Sequence, residues 1–223
     1  MAQLERELTI RSGKGERIAA TFRMPQNGSA FPAVLLCQGL SGVRNLVMPT
    51  VANALADAGI ASLRFDYVGH GDSSGDRGWI DPFARVADAR YVLSYLIGMQ
   101  EVDPHRVGVY GHSYGGPVAV HVAAADPEVR AAVTVSGPGN GQAMLRAPRP
   151  AWEWVELKKR VAADRLAISR GHAPEIVTVN DIFPFSPAFA AAYEKLKASQ
   201  GGTSALPGTD GLGQPTFYRA GGA

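Results

Sequence analysis

The chain of 223 residues carries 22 Lys plus Arg against 20 Asp plus Glu, a formal charge of +2, and 46% of it is apolar. That composition supplies one sizeable core, excludes wholesale disorder, and lacks the basic stripe of an electrostatic nucleic-acid binder. A single cysteine, Cys37, excludes an internal disulfide framework and a zinc site of cysteine pairs.

The chain opens on Met1-Ala-Gln-Leu-Glu-Arg-Glu-Leu8, charged where a signal peptide is apolar, and no apolar run approaches the roughly 18 residues that span a membrane. A cytoplasmic protein without membrane or nucleic-acid partners is expected. Glu7 to Ser12 and Arg17 to Arg23 read as two strands joined by a turn at Gly13-Lys-Gly15. The short apolar run Ala33 to Cys37 suits a strand covered on both faces. Pro49 to Ile60 reads as a helix and Ala61 to Phe65 as a strand, followed by a glycine-rich loop to Gly78. Asp81-Pro82 is an N-cap with proline at the first helical position, and Val86, Ala89, Leu93 and Leu96 form one stripe. Arg106 to Tyr110 then reads as the central strand of the sheet, Pro117 to Ala125 as a helix and Ala131 to Val135 as a strand. This alternation predicts an α/β fold: a mainly parallel sheet with helices on both faces.

After Gly137 the pattern changes. Gly137-Pro-Gly-Asn-Gly141 reads as a loop that opens no helix and binds no dinucleotide. Pro148 to Gly171 predicts an amphipathic helix with Trp154, Leu157, Val161 and Ile168 on one face. Ile176 to Val179 is strand-like, and a second helix is expected over Pro187 to Ala198. Gly201 to Ala223 is rich in Gly, Pro, Ser and Thr and reads as an unpacked tail. The division expected is a core over 1–146, a helical segment over 147–200 and a tail over 201–223.

Two segments match G-x-S-x-G, one around Ser113 (Gly111-His-Ser-Tyr-Gly115) and one around Ser73 (Gly71-Asp-Ser-Ser-Gly75). A nucleophile elbow needs a strand running into the turn and a helix leaving it. Ser113 has both; Ser73 lies well past its strand, with no helix before Asp81-Pro82. At an elbow, side chains two positions either side of the serine would collide, which the glycines avoid. The helix leaving it points its N-terminus at the site, where a developing anion is favoured. Asp66, His70, Asp72 and Asp76 match no zinc or calcium spacing and read as loop-forming structure, so neither metal nor cofactor is expected.

Three segments together resemble the α/β-hydrolase superfamily, and within it the dienelactone-hydrolase-like and X-Pro dipeptidyl-peptidase-like serine esterases and peptidases. They are Cys37-Gln-Gly-Leu-Ser-Gly42, Phe65-Asp-Tyr-Val-Gly-His-Gly-Asp-Ser-Ser-Gly75 and Val107-Gly-Val-Tyr-Gly-His-Ser-Tyr-Gly-Gly116. The resemblance implies Ser113 as nucleophile, with oxyanion N–H donors at Tyr114 and at Leu40, although a plain glycine turn fits Gly39-Leu40 as well. Relatives often carry histidine where this chain has Gln38. The helical segment corresponds to the superfamily's cap, and Trp152, Phe183 and Phe185 are candidates for an apolar substrate wall, with Trp154 packing the cap helix on the core.

The resemblance also implies an acid and a histidine after later strands, and these are not found. His105 belongs at the far end of the sheet, and His112 should point away from Ser113. His121 lies along the helix leaving the elbow, His172 at a helix exit, and His70 recurs in relatives that have a separate triad histidine. Asp181 follows a strand-like run, but no histidine follows it. The last strands of the fold are therefore expected to be missing, leaving an open sheet edge through which copies associate. Two readings stand: a serine hydrolase of small ester or acyl substrates, or an inactive scaffold that binds a ligand or partner. No Arg or Lys adjoins the elbow or Gln38-Gly39-Leu40 in sequence, which favours an uncharged substrate.

Overall fold

The computed structural model describes residues 3–199 and 218–220. Its elements run β1 (Gln3–Arg11), β2 (Arg17–Pro25), β3 (Phe31–Cys37), α1 (Met48–Asp57), β4 (Ala61–Phe65), β5 (Trp79–Ile80), α2 (Pro82–Ile97), β6 (Val102–His112), α3 (Gly115–Ala125) and β7 (Val129–Val135). They continue as α4 (Gly141–Arg146), α5 (Ala151–Ser169), β8 (Ile176–Val177), α6 (Val179–Ile182), α7 (Pro187–Ser199) and β9 (Tyr218–Ala220). The large sheet has the order β1-β2-β4-β3-β6-β7. The β1–β2 hairpin joins β4 antiparallel, while β4–β3, β3–β6 and β6–β7 are parallel.

Alternation along the inner strands sends side chains to two layers. Ala33, Leu35 and Cys37 of β3 and Val107 and Val109 of β6 pack with Ala89, Val92, Leu93 and Leu96 of α2 and Val118, Ala119 and Val122 of α3. Leu36 faces the other way, onto Met48 and Ala52 of α1. α2 starts where the sequence places it: the Asp81 carboxylate accepts the N–H groups of Phe83 (2.8 Å) and Ala84 (3.2 Å), with Pro82 at the first position.

Four features differ from expectation. β6 is second from the edge of the described sheet rather than central, because β7 is its last strand, with Val133 52% and Val135 40% exposed. Asn140 caps a six-residue helix, α4, by accepting the Ala143 N–H at 2.9 Å, where the glycine-rich loop predicts none. None of the stripe on α5 is buried: Val161 is 50% exposed, and Trp154 is only half-buried, with the Lys158 ammonium 5.8 Å above its ring rather than the core beneath it. Tyr218–Ala220, within the expected tail, pairs between β5 and β8 in a small second sheet. A three-residue strand recruited by distant partners leaves no periodicity to read; residues 200–217 and 221–223 lie outside the described residues. No described helix is long and apolar enough to cross a membrane.

Candidate active site

Ser113 sits where β6 turns into α3, with a left-handed φ of +53°, rare for a residue with a side chain. Its N–H bonds the Val135 carbonyl of β7 (2.8 Å), and its carbonyl accepts the Gly116 N–H (2.9 Å). The neighbouring glycines are required by space. A Cβ at Gly111 would overlap the Gly115 carbonyl, and one at Gly115 would overlap the Cys37 carbonyl oxygen and stand 2.6 Å from that of Gln38. Strand end, elbow and helix start are packed backbone to backbone.

The loop after β3 lies against this turn. A Cβ at Gly39 would be 3.4 Å from Ser113 Cβ and 3.7 Å from its Oγ. Gln38 is buried, and its side-chain amide donates to the Phe65 carbonyl, tying the ends of β3 and β4 together. The chain is also steered by Arg85 of α2, whose guanidinium donates to the carbonyls of Gly39 (3.2 Å) and Leu40 (2.7 Å). A cation therefore does adjoin this loop in space, although none does in sequence; it comes from 45 residues away, which no local reading detects.

Ser113, Tyr114 and Leu40 border one cavity of about 160 Å³. Phe183 and Phe185 form part of its wall. Trp152 does not; it is 69% exposed in the first turn of α5. The sequence missed Phe189, Met144, Leu46 and Met48, which also line it. Phe185 packs against Phe189 with ring centres 4.9 Å apart and tilted by 59°, and against Phe183 edge to face at 6.4 Å, so the three form one aromatic cluster. Its signal was the i+4 spacing from Phe185 across the start of α7. No charged side chain among the described residues lines the cavity. The wall segment is held by Arg149, which is buried, donates to the carbonyls of Leu145, Asp181 and Ile182 (3.0 Å to the last), and pairs with Glu153 at 3.3 Å.

The other candidates resolve into structural roles. Ser73 is fully buried; its hydroxyl donates to the Asp66 carbonyl (2.6 Å) and accepts the Ala19 N–H (2.9 Å). Asp66, also buried, accepts the N–H groups of Arg44 (2.6 Å) and Asp72 (3.0 Å) and pairs with the Arg44 guanidinium, which reaches Asp72 (2.7 Å) and Glu7 (3.2 Å) as well. The carboxylates of this loop thus find their counter-charge in Arg44. Asp181 closes a capping box with Thr178 and lies 3.6 Å from Arg160. His70 is buried and faces Arg85 Nη2 at 2.9 Å and the Val68 carbonyl at 3.2 Å. Arginine only donates, so Nε2 accepts and Nδ1 carries the proton. Burial and Arg85 hold the ring's pKa down to about 3. Of the five histidines, His112 alone borders the cavity, although strand alternation sends it away from Ser113; burial lowers its pKa too.

Comparison with known proteins agrees with this architecture. Residues 32–172 match the family model described as alpha/beta hydrolase fold. An uncharacterised 31.7 kDa protein from the traX–finO intergenic region of Escherichia coli is 35% identical over 130 residues, covering 58% of this chain and 46% of that protein. The thiohydrolase aneE of Aspergillus aculeatus is 30% identical over 105 residues, covering 47% of this chain and 33% of its own. The structure of DcsB with its substrate analogue superposes with a TM-score of 0.75 at 20% identity, over 97% of this chain and 71% of that one, a likeness of fold. The chain spans 46% of the Escherichia coli relative and 33% of the thiohydrolase.

Proposed function

The chain belongs to the α/β-hydrolase family, and from that premise we propose that it acts as a serine hydrolase on small, uncharged ester, thioester or other acyl substrates. The observation that carries the reading is Ser113 itself: a left-handed serine on a strand–helix turn, opening into an apolar cavity beside the Gly39-Leu40 loop. Its Oγ bonds to the acyl carbon as the carbonyl oxygen becomes an oxyanion; collapse breaks the bond to the leaving oxygen or sulfur, which departs as alcohol or thiol with the proton lost from Oγ. Water then hydrolyses the acyl-serine to the free acid and restores the hydroxyl. The N–H groups of Tyr114 and Leu40 receive that oxyanion, each such donor being worth on the order of 10²–10³ in rate. The uncharged aromatic wall suits an acyl chain better than a phosphate or carboxylate. The thiohydrolase among the relatives fits the same chemistry.

An inactive binding scaffold is the second reading. What favours it is that His70, His105, His121 and His172 stand off the cavity. A fluorophosphonate probe separates the readings: labelling at Ser113, abolished by Ser113→Ala, supports the hydrolase. Labelling elsewhere, or undiminished esterase activity in the variant, refutes it, and an unlabelled wild type supports the scaffold.

A further inference from the structure

From one buried side chain we infer that Arg85 is the positioning residue of the oxyanion loop, setting the direction of the Leu40 N–H; its catalytic consequence rests on the reading of Ser113 as nucleophile.

Arg85 lies one turn into α2, its N–H bonding the carbonyl of the Asp81 cap at 3.1 Å, and is 2% exposed. A guanidinium so deeply buried has to spend its donors on protein acceptors. Two of its nitrogens take the consecutive carbonyls of Gly39 (3.2 Å) and Leu40 (2.7 Å), and one also faces the neutral Nε2 of His70 at 2.9 Å. The Gly39 carbonyl accepts the Gly42 N–H as well, at 3.3 Å.

The described chain contains no cis peptide bond. In a trans peptide the C=O and the following N–H point in opposite directions. With the Gly39 oxygen drawn toward α2, the Leu40 N–H is turned to the opposite side of the loop. We assign that side to Ser113, because Leu40 borders the cavity that Ser113 opens into, whereas Arg85 is not among its lining residues. Left to itself, a Gln38-Gly39-Leu40 turn has the backbone freedom to flip this peptide.

The same guanidinium lies 4.6 Å from the ring centre of Tyr67 and 5.5 Å from that of Tyr114. Tyr114 supplies the other proposed donor. The loop after β3 and the ring of Tyr114, on separate segments, thus meet one planar cation. Lysine offers a point charge on a flexible stem and cannot present two parallel donors while stacking on a ring.

The test uses the full chain with Arg85→Gln and Arg85→Lys, the lysine variant retaining the buried charge should the glutamine variant fail to fold. Amide NMR is expected to show the Leu40 N–H shifted and exchanging faster in both variants, with the β3–β4 amides unmoved. Fluorophosphonate labelling of Ser113 is expected to slow on the order of 10²-fold, while affinity for n-hexanol, an unreactive occupant of the cavity, changes less than about twofold. Lysine restores little of the rate. A Leu40 amide unchanged in either folded variant, or labelling at the wild-type rate, overturns the inference. A wild type that is never labelled refutes the hydrolase reading alone, and the Leu40 amide still decides this one.

Discussion

Replacing Gly115 with alanine adds one methyl group at the tightest point of the elbow. That Cβ would overlap the Cys37 carbonyl oxygen and stand 2.6 Å from the Gln38 oxygen, both backbone atoms at the end of β3. A comfortable carbon–oxygen contact is about 3.3 Å, so β3 and the start of α3 have to separate by roughly 1 Å. No side-chain rotation relieves it. Overpacking of this kind costs about 1–3 kcal/mol, which for a chain of this size lowers the melting temperature by about 2–12 °C. The same two segments carry Gly39-Leu40 and Ser113-Tyr114, so the displacement opens the gap between nucleophile and oxyanion loop. A misplacement of about 1 Å costs on the order of 10²-fold in rate. The assay pairs thermal unfolding with the rate of fluorophosphonate labelling. Gly139→Ala is the control, since a Cβ there meets no atom within 4 Å. A Gly115→Ala protein that melts and labels like the wild type refutes the reasoning.

Burial raises the Asp88 carboxyl to about 6, from 3.8. The folded state therefore holds this proton where the unfolded state has lost it, so stability falls as pH rises from about 4 to 6 and is level above. Asp88→Asn keeps an acceptor for the Val68 N–H, bonded now at 3.0 Å, and escapes that loss. Urea denaturation across pH is expected to show the variant gaining about 3 kcal/mol on the wild type between pH 4 and 7, and a constant difference contradicts this. Phe183→Ala and Phe185→Ala are expected to weaken binding of apolar acyl analogues about tenfold through lost contact area, whereas exposed Trp152→Ala changes nothing. Unchanged affinity in both phenylalanine variants, with the fold intact, removes that wall from the binding site.

The elements were legible wherever their signals are local. Asp81-Pro82 marks a helix start because an aspartate cap and a proline act within one turn of their own positions. Ser113 was separable from Ser73 for the same reason: strand, turn and helix are contiguous in the chain around one and not around the other. Most element boundaries shifted by a few residues, β1 and β6 starting earlier, at Gln3 and Val102, and α4 was missed because its cap, Asn140, sits inside a run of glycines and prolines. The stripe on α5 was a true helical period, but periodicity reports a helix and says nothing of whether a partner covers its face.

What the sequence by itself determined was the α/β alternation, the serine turn between obligatory glycines and the helical period of the segment beyond the sheet. Each follows from forces acting over a few residues: torsional preference, capping and hydrophobic period. What only the tertiary structure decided was which groups meet. Arg85 at Gly39 and Leu40, Arg44 at Asp66, Gln38 at the Phe65 carbonyl, and Phe189 beside Phe185 are contacts of packing. A buried cation or amide is fixed by the acceptors that folding happens to deliver to it, and those acceptors lie on other elements at distances in sequence that carry no period and no motif.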